Sequence, residues 1–100
     1  MGALEVRFKE KASAHVSYIY ALYEAEDAGL GQRFLRALDR VVERIALFPK
    51  SCPIFHRETR RVPLNRFPYS VYFREYTDHV DVVAVLHAKR DPSYQRSQSE

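Results

Sequence analysis

The side chains in this sequence that could act on another molecule are arginines, histidines and tyrosines. Arg60 and Arg61 are adjacent, and a second group lies near the C-terminus: His87, Arg90, Asp91 and Tyr94. Guanidinium groups are permanent cations that neutralise phosphate or carboxylate. Histidine titrates near neutral pH, which makes His56 and His87 the candidates for a general base. A histidine that ends an apolar segment also has a plainer use, as a packed and hydrogen-bonded side chain, and His87 fits that description best. Arg60 and Arg61 carry two readings side by side, a solvated strand edge or a contact to a target. Arg33, Arg36, Arg40 and Arg44 recur along one segment with Asp39 and Glu43 among them. That mixture suits a salt-bridged solvent face, with a meeting with DNA or an acidic partner as its other use. The histidines and Cys52 lack the spacing of metal ligands, so neither a metal nor a cofactor is expected. Cys52 lies beside Pro53 with no base or helix start near it, and no nucleophile is proposed there.

Those residues need elements to hold them. Leu4 to Phe8 alternates with period two and reads as a short strand. The period then changes. Ala12, Val16, Ile19, Tyr20 and Tyr23 recur at three- and four-residue steps on one helical face, with Ser13 as a candidate cap. Gly29-Leu30-Gly31 interrupts the pattern. Phe34, Leu38, Val41, Ile45 and Phe48 form a second stripe that Pro49 ends. Two amphipathic helices joined through a glycine-containing turn form an antiparallel hairpin, and both stripes need a sheet to cover. Lys50 to Pro53 reads as a loop. Glu58 to Leu64 is a strand whose Pro63 marks an edge or an end. In Phe67 to Tyr76, Tyr69, Val71 and Phe73 face one way, and Ser70, Tyr72 and Arg74 the other. Val80 to Leu86 is nearly all apolar, as a central strand covered on both faces. The expected fold is α+β: strand, helix, helix, then a three-strand meander, with the hairpin on a mainly antiparallel sheet.

Composition bounds the rest. The chain has 100 residues and a formal charge of +3, enough for one small domain. Residues 1–96 are expected to form it and 97–100 a polar tail. No apolar run approaches the roughly 20 residues that span a bilayer, and the mixed N-terminus does not read as a signal peptide. The single cysteine excludes an internal disulfide and fits a reducing compartment.

Three local patterns then stand in order. Leu47-Phe48-Pro49 closes the second helix. Arg60-Arg61-Val62-Pro63-Leu64 leads to Phe67-Pro68-Tyr69-Ser70-Val71-Tyr72-Phe73. Val83-Ala84-Val85-Leu86-His87-Ala88-Lys89-Arg90-Asp91-Pro92 ends the last strand. Together they resemble the RelE/ParE toxin superfamily from Leu4 to Arg96. The Phe-Pro-Tyr and His…Arg-Asp-Pro segments look closer to its ParE-like, plasmid-stabilisation branch. The resemblance implies a cytoplasmic toxin of a type II toxin–antitoxin system, held inactive by a cognate antitoxin and reaching operator DNA only through it. Antitoxins of such toxins supply an amphipathic helix and an extended stretch, so a sheet edge and the groove beside the hairpin are the implied docking surfaces.

The family divides by target. ParE-type members poison DNA gyrase and are not nucleases; RelE-type members are ribosome-dependent mRNA endonucleases. Cleavage through a 2′-hydroxyl needs a base, an acid and cations around the phosphate. Arg90 matches an arginine of the nuclease branch. That branch also has an arginine after an aromatic residue in its third strand, where this chain has Ser70 after Tyr69. Tyr94 stands closer to Arg90 than the matching tyrosine does in that branch. The resemblance therefore implies a non-enzymatic gyrase inhibitor, with Arg60, Arg61, Arg90, Asp91 and Tyr94 as target contacts. The alternative is an endonuclease acting on mRNA at the ribosome through Arg61, Arg90, Tyr94 and His87. A third reading is a non-toxic relative that binds its antitoxin.

Overall fold

The computed structural model describes residues 2–88. Arg90, Asp91, Tyr94 and the polar tail expected at 97–100 lie outside the described residues. The chain runs β1 (Glu5–Phe8), α1 (Glu10–Glu26), α2 (Leu30–Leu47), a 3-10 turn (Pro49–Ser51), β2 (Ile54–His56), β3 (Thr59–Pro63), β4 (Tyr69–Glu75) and β5 (His79–His87). This is the α+β arrangement implied by the periodicities, with one more strand. Ile54–His56 pairs with β3 across a register shift, so the expected three-strand meander has four strands. Three residues are too few to display an alternation, which is why β2 has no sequence signature.

The sheet order is β1-β5-β4-β3-β2. β1 runs parallel to β5, and the other pairs are antiparallel. α1 starts directly after β1. Lys9 is its N-cap and Glu10 lies in the first turn, so Ser13 is an exposed helical residue and not a cap. The stripes otherwise face inward as the spacing requires. Ala12, Ile19, Phe34, Leu38, Val41 and Ile45 are buried in one cluster with Val71, Phe73, Val80, Val82 and Val85. Phe48 departs from its stripe and is 63% exposed. Its backbone has already left the helix, at φ −138 and ψ 62, which turns the ring away while Pro49 is buried.

Glycine does specific work between the helices. Gly29 adopts a φ of 91, in the left-handed region. Gly31 lies so close to α1 that a Cβ there would stand 2.8 Å from the Glu24 carboxylate and the Tyr20 ring. The Glu24 carboxylate accepts the Gly29 amide at 2.9 Å and the Gly31 amide at 3.0 Å. Helix starts leave such amides without backbone partners, and an anion there also meets the positive end of the helix dipole. Thus α1 supplies the cap of α2.

The apolar run in β5 has a local cause. Tyr72 pairs with Ala84 but Phe73 with Val82, so Val83 is an extra residue on β5. The bulge changes which residues face the helices, from Val80 and Val82 before it to Val85 after it. Past β1, the β5 edge is closed by α1, where His15 Nδ1 accepts the Val85 amide at 3.2 Å.

Candidate functional site: arginines on the sheet and beside the second helix

The arginine pair sits on β3, between β2 and β4. It is therefore not a sheet edge; β2, too short to be seen in the sequence, takes that place. Successive residues of a strand face opposite sides, so the pair splits. Arg60 shares the helix-covered side with Val62, and its guanidinium donates to the Cys52 carbonyl at 2.7 Å. Arg61 lies on the other side, 4.5 Å from the centre of the Phe55 ring, where a guanidinium is held by the ring's negative face. Phe55 in turn meets Tyr72 edge-on at 5.3 Å. The Tyr72 hydroxyl is buried with no hydrogen-bond partner among the described residues. Burial pushes its pKa up, and the neighbouring Arg61 guanidinium, close to hydrogen-bonding range but not in bonding geometry, offsets part of that by polar contact and charge.

The remaining sheet residues follow the same alternation. Arg74 Nε donates to the Thr59 hydroxyl at 3.2 Å. Ser70 is 4% exposed and stands in register between Pro63 and Leu86. His87 ends β5 half-buried, with its ring edge-on to Tyr69 at 5.3 Å. β4 lies between His87 and Arg61, and the two face opposite sides of the sheet. The structure therefore does not bring these two together. His56 accepts from Arg57 Nε at 3.2 Å. No group of three His, Cys, Asp or Glu among the described residues could hold a metal ion.

A different surface emerges beside the second helix. α2 and the β3–β4 connection enclose a groove of about 780 Å³. Arg33, Arg36, Arg40 and Arg44 line it from the helix and Arg66 from the connection, and no acidic residue lines it. Its floor is apolar, with Val41, Val62 and Phe67. Arg66 reaches the rim from a backbone φ of 75, a conformation uncommon for a side chain of this size. Arg44 is tied to the Ser51 side chain and carbonyl at 3.1 and 2.9 Å. Arg33, Arg36, Arg40 and Arg66 make no ion pair among the described residues. The expected salt-bridged solvent face is therefore not what forms. Asp39 and Glu43 sit among these arginines in sequence, but they do not line the groove. The signal available in the sequence was the i, i+4, i+8 row Arg36, Arg40, Arg44 beside the apolar stripe; the opposite wall comes from a loop far along the chain.

No helix is long and apolar enough to cross a membrane, among the described residues. Comparisons with known proteins agree with the architecture. A solved structure titled "Chromosomal ParDE TA system from P. aeruginosa" superposes with a TM-score of 0.76, covering 87% of this chain and 98% of that one. At 16% identity this likeness speaks for the fold alone. No curated protein sequence matches. The family model described as "ParE toxin of type II toxin-antitoxin system, parDE" matches residues 6–92. With residues 6–92 of the 100 inside that match, the chain belongs to the ParE toxin family of type II toxin–antitoxin systems.

Proposed function

We propose that this chain is a toxin that acts by binding DNA gyrase, in the cytoplasm, and is neutralised by a cognate antitoxin. Family membership supports the toxin role. One observation favours binding over RNA cleavage. Ser70, uncharged and 4% exposed, occupies the β4 position after Tyr69, where a nuclease of the wider superfamily has an arginine. The sheet's other cations do not replace it. Arg60 is bound to the Cys52 carbonyl, Arg61 lies on Phe55, and Arg74 is bound to Thr59. His87 lies on the far side from Arg61. Among the described residues, no arginine stands at the Ser70 position, and Arg61 and His87 face opposite sides of the sheet, whereas RNA cleavage needs cations and a base together.

Target contact through Arg60, Arg61, Arg90, Asp91 and Tyr94 belongs to this proposal. Expression without antitoxin should arrest growth with signs of DNA damage, and purified protein should alter gyrase supercoiling or cleavage. If gyrase is unaffected while translated mRNA is cut in the ribosomal A site, the endonuclease reading replaces this one. Harmless expression would leave a non-toxic, antitoxin-binding relative.

A further inference from the structure

We propose that the groove between α2 and the β3–β4 connection binds a single strand of nucleic acid. Its sides hold Arg33, Arg36, Arg40, Arg44 and Arg66, all exposed, and no acidic residue. Arg33, Arg36, Arg40 and Arg66 have no ion-pair partner among the described residues. Cations gathered without counter-charges repel one another, and a groove lined by one sign of charge attracts a polyanion. A basic stripe along one helix is the electrostatic footprint of a nucleic-acid contact. The row is also regular. Arg36, Arg40 and Arg44 recur at four-residue steps, about 6 Å at 1.5 Å per residue. A strand carries a phosphate on every nucleotide, so its charges repeat regularly too. Guanidinium groups grip phosphate through two parallel hydrogen bonds.

The floor decides which polyanion. Val41, Val62 and Phe67 make it apolar, and Asn65 lines the groove beside them. Phe67 is half-buried, and its contacts with the Tyr23 and Phe34 rings hold it in place. An aromatic ring fixed among arginines is a stacking platform for an unpaired base. The Asn65 amide carries both a donor and an acceptor for a base edge. Each nucleotide thus brings an anion and a flat apolar face in one unit. A duplex keeps its bases stacked inside and offers the floor only sugar and phosphate. A protein segment acidic enough to answer every arginine carries charge where the floor needs apolar groups. Binding of a strand here goes beyond the toxin reading and does not depend on it.

Fluorescence anisotropy on the full chain tests this with labelled probes of about twelve units each. They are a thymidine DNA strand, a uridine RNA strand, an abasic DNA strand, a DNA duplex and a poly-glutamate peptide. The two base-bearing single strands should bind best, and the tighter of them names the source, DNA or RNA. Four unpaired arginines at about −0.7 each give a slope of log K against log salt of about −3. Arg40→Glu should weaken binding at least about fivefold and flatten that slope by about one. Arg7→Glu makes the same charge change on the far edge of the sheet and should stay within about twofold of the parent. Without bases to stack, the abasic strand should bind at least about fivefold less tightly. Arg40→Ala gives a second reading should the reversal disturb folding, which far-UV circular dichroism reports. Equal binding of the duplex, the abasic strand or poly-glutamate overturns the proposal, as does a slope shallower than about −1. So does equal weakening by Arg7→Glu and Arg40→Glu, or no weakening by either Arg40 variant. Growth arrest and gyrase activity are scored separately, so none of these outcomes touches the toxin reading.

Discussion

Replacing Glu24 by alanine should destabilise the fold by about 2 kcal/mol, although the residue lies outside the hydrophobic core. Its carboxylate accepts the Gly29 and Gly31 amides at 2.9 and 3.0 Å. Both bonds have a charged acceptor and lie at a helix start, where no backbone carbonyl can replace it. A bond of this kind is worth about 1.5–3 kcal/mol net when dry. Glu24 is half-buried, and water recovers part of the loss, so the helix-cap scale of about 1 kcal/mol per bond is the better guide. Loss of the dipole interaction adds a few tenths, and the better helix propensity of alanine subtracts about as much. In a domain of this size, 2 kcal/mol lowers Tm by about 10 °C. Glu24→Gln keeps one acceptor and turns an N–H toward the other amide, so it should lose at least half as much. Urea denaturation followed by far-UV circular dichroism measures both. A Glu24→Ala protein within about 0.5 kcal/mol of the parent would refute the capping role and leave those amides to water.

Three other perturbations probe separate parts of the molecule. Phe34 is fully buried and touches the Tyr23, Phe67 and Tyr69 rings, so Phe34→Ala should cost about 3–5 kcal/mol and leave little folded protein at 37 °C; near-parental urea stability would contradict the packing described. His15 is held neutral by burial, with its pKa below the ordinary 6.5. The unfolded chain takes up that proton first, so stability is complete above about pH 6.5 and declines as pH falls toward the folded value. His15→Gln, which keeps an acceptor for the Val85 amide, should flatten the stability profile between about pH 7 and 5; an unchanged slope assigns the effect elsewhere. Glu5 and Asp78 are held below their ordinary values of 4.5 and 3.8 by hydrogen bonds to Arg7 and His79, and act only in more acid solution. Tyr72→Phe removes a buried hydroxyl that has no hydrogen-bond partner of good geometry among the described residues, so stability should hold or rise. Toxicity should survive the change if Tyr72 has no chemical role, and its loss would return attention to catalysis on the sheet.

What could be read from the residues alone follows the strength of each periodicity. The α2 stripe of Phe34, Leu38, Val41 and Ile45 repeats over more than two turns, and all four are buried. The alternation in β4 is legible in which face each residue takes: Val71 and Phe73 join the helix-side cluster, while Ser70 and Tyr72 are buried on the other face. Failures came where a short segment or a distant one decided the outcome. β2 is three residues long, and its presence moves Arg60 and Arg61 from an edge to the interior of the sheet. The bulge at Val83 shifts β5 by one residue, which turns an alternating strand into an apparently continuous apolar one. For the groove, α2 offered a legible row of arginines. Their lack of ion pairs depends on side-chain directions, and the floor comes from Val62 and Phe67 on a later part of the chain. Three-dimensional assembly decides both, and no spacing rule within one helix reports them.

The parallel pairing of β1 with β5 has a consequence for when the domain can exist. Glu5 meets His79 and Phe8 meets Val82, so the first strand waits for almost the last. A ribosome releases the chain from its N-terminus, and β1 therefore emerges long before its neighbour. The helix hairpin can form early from local contacts, but its sheet-facing stripes stay uncovered until β5 appears. Closing so long a loop is slow compared with making a helix turn. Through that interval the apolar stripes of the hairpin stand open, and the domain becomes complete only when its C-terminal strand arrives.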